Sequence, residues 1–176
     1  MPVPTPPTSQ PVLRRLITNP WTAASRASPG VRKWCDQHGY ITPHFTWQSY
    51  ACQDGTAVPR TLRANAIRLH WRLELMRHRL GDVPMTVDGP FRTHARNTEV
   101  GGASESRHMQ ADAADFFVAQ VEHWVAQSPK LQHRDDVVRL ADRTFFNGGV
   151  GNEGTGTLHL DTRGSRARFV TWTRSR

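Results

Sequence analysis

The stretch SESRHMQADAADFF (residues 104–117) sets a histidine, His108, seven residues before an aspartate, Asp115. Small and polar residues lie between them, and an apolar run follows. Two readings fit this spacing. One is a surface turn entering a buried element. The other is half of a metal site, with residues 108–116 read as a strand entered through a turn. Histidine nitrogen and carboxylate oxygen both suit a zinc ion. A catalytic zinc site needs three protein ligands and an open position, so a third ligand must come from elsewhere.

TLHLDT (157–162) alternates like a strand and carries His159. Side chains at i and i+2 share a strand face, so Thr157, His159 and Asp161 point together. If that face looks at His108, a site of two histidines and one aspartate closes. Nine histidines in 176 residues also offer accidental combinations. On spacing alone, a metal site and a set of ordinary polar residues both stay open.

Outward from this pair, RTLRANAIRLHWRLELMRHRL (60–80) predicts an amphipathic helix. Leu62, Ala66, Leu69, Leu73, Met76 and Leu80 recur at steps of three and four. Gly81 suits the residue just past the helix end, and Pro84 prevents continuation. His70 and His78 lie off the apolar stripe and are expected on a solvated face. PMTVDGPF (84–91) reads as a short strand ending in a turn, and residues 92–107 as a long polar loop. VAQVEHWVAQ (118–127) and DDVVRLAD (135–142) predict short helices, and ARFVTW (167–172) a partner strand for 157–162. Residues 13–60 read as irregular structure with one or two short helices, with a turn at DGTAVP (54–59). Helices and short strands mix without regular βαβ spacing, which predicts an α+β fold.

Length and composition suit one domain over residues 13–176, preceded by a flexible proline-rich segment, 1–12. There is no apolar run of about 18 residues, so no membrane span is expected. The N-terminus lacks the apolar core of a secretory signal, which predicts synthesis in the cytoplasm without one. A net charge of +8 favours an anionic partner. No helix-turn-helix, zinc-finger or RNA-recognition signature is present, so nucleic acid is not the expected partner. Nothing demands more than a monomer. Cys35 and Cys52 are expected as buried free thiols, with a single disulfide as the alternative.

SRHMQADAAD (106–115) resembles the Ser-x-His-x-x-Gly-x-Ala-x-Asp motif of the zinc D-alanyl-D-alanine carboxypeptidase family. Those murein peptidases share a fold with lysostaphin-type peptidases and the hedgehog signalling domain. GGVGNEGTGTLHLDTRG (148–164) resembles the family's Gly-Gly-Val-Gly segment followed by His-x-Asp. GPFRTHARNTEVGGASESRH (89–108) resembles its Gly-Tyr-Arg-Ser loop, and FTWQSYACQDGT (45–56) the segment that opens the domain. The similarity runs from about residue 45 to 172.

The resemblance implies a small central, mainly antiparallel sheet that carries the zinc site and is flanked by helices. It implies Zn²⁺ as cofactor, held by His108, Asp115 and His159. It implies hydrolysis of peptidoglycan stem peptides, by a D-Ala-D-Ala carboxypeptidase or a murein endopeptidase acting at the bacterial cell wall. A lone domain of this kind suits a phage endolysin released by lysis, and equally a bacterial wall enzyme exported by other means. Arg92 matches an arginine that holds substrate or the developing oxyanion. Ser106, on the substrate side, is expected to shape the turn through a local side-chain-to-backbone hydrogen bond.

Two positions depart from the pattern. Ala111 stands where the family has glycine, which costs about 1 kcal/mol if φ is positive there. The base is also displaced. Relatives carry a glutamate three residues before the last histidine, or a histidine two before it, and here those positions are Gly156 and Thr157. Asp161 and Glu153 are the candidate bases, and Asp161 is alternatively the residue that fixes His159. The rival implied reading is a non-catalytic zinc-binding wall module of the same fold.

Overall fold

In the computed structural model, which describes residues 29–128, 130–152, 157–165 and 167–170, helix α1 (Pro29–His38) leads into a hairpin of β1 (Tyr40–Thr42) and β2 (Phe45–Thr46). A 3-10 turn (Arg60–Leu62) opens the long helix α2 (Arg63–Arg79). The short helix α3 (His94–Glu99) and a second 3-10 turn (Arg107–Gln110) precede β3 (Ala113–Phe117). Helices α4 (Val118–Gln127) and α5 (Arg134–Thr144) follow, then β4 (Gly149–Asn152), β5 (Thr157–Asp161) and β6 (Ala167–Val170).

The fold is α+β. Its main sheet runs β3-β5-β4-β6, with β5 antiparallel to both neighbours. Strand β6 pairs in parallel with β4 and not with β5 as expected, because β3 and β4 already take both edges of β5. Alternation decides what each face carries. Ala114 and Phe116 of β3 and Leu158 and Leu160 of β5 are fully buried and join one apolar cluster with Val121 and Trp124 of α4. The Phe116 and Trp124 rings lie 5.3 Å apart, and Trp124 Nε1 donates to the Pro84 carbonyl at 2.9 Å. With the apolar residues committed to the core, Asp115, His159 and Asp161 are left on the other face.

Helix α2 has the expected stripe and ends as expected. Gly81 takes φ +98°, Asp82 N–H reaches back to Arg77 O, and Gly81 N–H to His78 O. These are the two bonds of a Schellman end. The helix differs from expectation in its polar face. His70 is fully buried, not solvated. Its ring meets Phe45 edge-on at 5.1 Å and Tyr50 at 4.4 Å. Local periodicity could not reveal this, because the β1–β2 hairpin covers that face from 30 residues away in the chain. Glu74 ties the hairpin down, accepting from Thr42 Oγ1, His44 N–H and His44 Nδ1.

Other boundaries shift. Residues 84–91 form no strand, and only Gly89 bridges β3, opposite Asp115. The loop 92–107 contains α3, whose cap is Thr93 accepting from Arg96 N–H. The strand expected over 108–116 is a 3-10 turn followed by β3, because Ala111 takes φ +53° and breaks the extended run. Cys35 and Cys52 are buried free thiols. No helix among the described residues is long and apolar enough to cross a membrane. The N-terminal segment 1–12 lies outside the described residues.

Candidate metal centre

The 3-10 turn and the left-handed residue after it aim His108 inward. Ala111 N–H bonds back to His108 O, and Arg107 Nε donates to Asp112 Oδ1 at 3.0 Å across the corner. His108 is 3% exposed. Its Nδ1 donates to the Pro90 carbonyl at 2.9 Å, which leaves Nε2 to face Asp115 Oδ2 at 3.2 Å. This is the arrangement that fixes the tautomer of a ligating histidine.

Strand pairing supplies the other two groups. Asp115 and His159 are direct partners in the β3–β5 register. His159 Nδ1 lies 2.7 Å from Asp115 Oδ1, and its Nε2 lies 3.3 Å from Asp161 Oδ2. The His108 and His159 rings are 5.1 Å apart, edge to face. One ligand atom from each of His108, Asp115 and His159 falls within 4.8 Å of the others. Zinc bonds of ~2.0–2.2 Å put the ligand atoms of a tetrahedral centre about 3.3 Å apart. The donor set and its spacing therefore fit zinc.

Two glycines make room for the carboxylates. A Cβ on Gly89 would lie 2.4 Å from Asp115 Oδ2, and one on Gly149 would lie 2.1 Å from Asp161 Oδ2. Gly149 N–H instead donates to Asp161 Oδ1 at 2.9 Å. Asp161 is fully buried and also accepts from the backbone N–H and Nε of Arg163.

Electrostatically the site gathers charge around a cation position. Burial opposes charge on His159, but hydrogen bonds to Asp115 and Asp161 outweigh it and raise the imidazole to about 9. Burial also pushes Asp115 upward, yet His108 and His159 hold it well below the usual carboxylate range. For Asp161, His159, Arg163 and the Gly149 amide outweigh burial in the same direction.

Arg92 Nη2 lies 3.2 Å from Asp115 Oδ2, and Arg92 N–H donates to His108 O. Arg92, Arg96, Asp115, Phe117, Thr157 and His159 line a cleft of about 290 Å³. Ser106 heads the 3-10 turn through its carbonyl, which accepts from Met109 N–H, and its side chain makes no cap bond. Glu153 lies outside the described residues. The Pro90 carbonyl and Arg163 escaped the sequence reading. The signal for Arg163 was its place two residues after Asp161, and for Pro90 there was none.

A family model described as Peptidase M15 matches residues 43–146, more than half of the chain. The match takes in His108 and Asp115 and stops short of His159. A zinc D-Ala-D-Ala carboxypeptidase of Streptomyces albus G is 52% identical over 62 residues, 35% of this chain and 24% of that protein. The match therefore spans about a quarter of that relative's length.

Proposed function

This chain belongs to the peptidase M15 family, and from that membership we propose that it is a zinc-dependent peptidase acting on peptidoglycan stem peptides. The observation that carries the reading is the convergence of His108, Asp115 and His159 within 4.8 Å beside an arginine-lined cleft. These three residues would hold the ion. Zinc, when bound, supplies Lewis acidity for the scissile carbonyl and for the attacking water.

The chain's own residues then divide the work. The Pro90 carbonyl and Asp161 orient the two imidazoles from behind. Asp161 suits that task better than proton transfer, because its carboxylate is buried and already met by Arg163 and Gly149. We assign the base to Glu153. Arg92 steadies Asp115 and offers its remaining donors to the carbonyl oxygen as charge develops there. Arg92 and Arg96 together suit the terminal carboxylate of a peptide, which favours removal of a C-terminal D-alanine over cleavage within a crosslink. The +8 charge supports action at an anionic wall.

The test is to incubate zinc-loaded protein with a stem peptide ending in D-alanyl-D-alanine and with crosslinked muropeptides, and to identify the products by mass spectrometry. Release of D-alanine is expected. Cleavage of crosslinks alone would make it an endopeptidase. One zinc per chain with neither substrate cut would replace the enzyme with a binding module.

A further inference from the structure

The sheet continues past the metal centre by one more rung. Phe117 stands opposite Thr157, as Asp115 stands opposite His159, and alternation puts both pairs on the same face. Phe116 is fully buried in the core, whereas Phe117 is 57% exposed and lines the cleft. The fold thus leaves an aromatic ring uncovered one step from the metal ligands, where covering it would be favourable.

Segment 88–92 runs alongside and gives the cleft two ends. Asp88 Oδ2 accepts from Phe117 N–H at 2.8 Å, and Gly89 bridges Asp115. The Pro90 carbonyl and Arg92 N–H both meet His108. The metal ligands therefore lie between Asp88 and Arg92, and both of these line the cleft. Of the two carboxylates there, Asp115 is turned to His108, His159 and Arg92. Asp88 is held instead by neutral donors, since Oδ2 also accepts from Gln120 Nε2 at 2.9 Å. Neither bond uses Oδ1, and among the described residues Asp88 forms no ion pair.

We propose that Phe117 and Asp88 form a subsite for a substrate side chain with an aliphatic stem and a terminal ammonium. The stem packs on the Phe117 ring and the ammonium meets Asp88 Oδ1. This rests on the peptidase reading. With a peptide's terminal carboxylate at Arg92 and Arg96, the chain on the amino side of the scissile bond runs toward Asp88. The subsite then takes a basic residue that precedes the terminal D-alanines. It selects an amine that is still free over one acylated in a crosslink.

The test measures kcat/KM of the zinc-loaded protein on three N-acetylated peptides. Each ends in D-alanyl-D-alanine, preceded by lysine, norleucine or alanine. Norleucine has the lysine stem without the amine. Lysine is expected to exceed norleucine about tenfold, and norleucine to exceed alanine about fivefold. Asp88→Asn keeps an acceptor for Phe117 N–H and should bring the lysine-to-norleucine ratio to about one. Phe117→Ala, at an exposed ring, should do the same to the norleucine-to-alanine ratio. A ratio within one variant cancels the amount of folded protein. Equal rates on all three peptides, or ratios unmoved by the substitutions, would overturn the subsite and leave the peptidase standing. Cleavage of none would overturn the peptidase reading. Titration of the uncut peptides into zinc-loaded protein would then read the subsite by affinity, and lysine bound no more tightly than norleucine would overturn it as well.

Discussion

Asp115 and His159 stand directly opposite each other on β3 and β5, with His159 Nδ1 2.7 Å from Asp115 Oδ1. The register that brings them together is set by the core, not by the site. Leu158 and Leu160 must face the Phe116–Trp124 cluster, so His159 must face the other way. A slip of one residue would bury His159 among apolar groups and dismantle the centre.

Replacing His108 by alanine should abolish zinc retention. It removes one of three donors, so affinity should fall by more than the ~10–100-fold typical of residues behind a ligand. Metal analysis after equilibrium dialysis checks this, and peptide hydrolysis should be lost in parallel.

Asp161→Asn separates orientation from proton transfer. If Asp161 only holds His159, zinc affinity should fall about 10–100-fold and saturating zinc should restore most of the turnover. Unchanged zinc affinity with a collapsed kcat would instead make Asp161 the base. Competition against a chromogenic chelator, run beside kinetics at high zinc, reads both quantities.

Gly89→Ala should disturb the centre without touching a ligand. The new methyl would sit 2.4 Å from Asp115 Oδ2, so the carboxylate or the 88–89 segment must move. A stability loss of about 1–3 kcal/mol is expected, with weaker zinc binding. Urea denaturation of the metal-free protein and zinc titration test the two effects separately. Unaltered zinc affinity would show that Asp115 is not held by this contact.

Acid should weaken the fold through His70. Burial lowers this imidazole from 6.5 to about 4. The folded state therefore resists a proton that the unfolded chain accepts. The contribution is whole above pH 6.5 and is lost as the pH falls toward 4, by about 3 kcal/mol at most. His70→Gln should flatten that part of the stability–pH curve relative to the parent. Parallel curves for the two proteins would remove His70 as the cause.

Much of the site was legible before any fold was known. Residue type and strand alternation made His108, Asp115 and His159 candidates and left a metal site and ordinary polar residues both open. The family resemblance implied them as a ligand set, and the structure brings one ligand atom of each within 4.8 Å of the others. Ala111 was marked as a residue standing where glycine is expected, and it does adopt φ +53°. Helix α2 and its end at Gly81 followed from apolar steps and a single glycine, both local properties.

Other features depended on partners distant in sequence. His70 sits on what periodicity marks as a polar face, and only the hairpin around Phe45 buries it. The Pro90 carbonyl that orients His108 is a backbone group and has no sequence signature. Arg163, which meets the Asp161 carboxylate beside the centre, lies past the end of β5, and no periodic pattern marked it. Residue type and short-range periodicity name the chemistry available and the faces that must be buried. Which groups meet is settled by sheet register and by the packing that fixes it, because those contacts are made between segments with no common local signal.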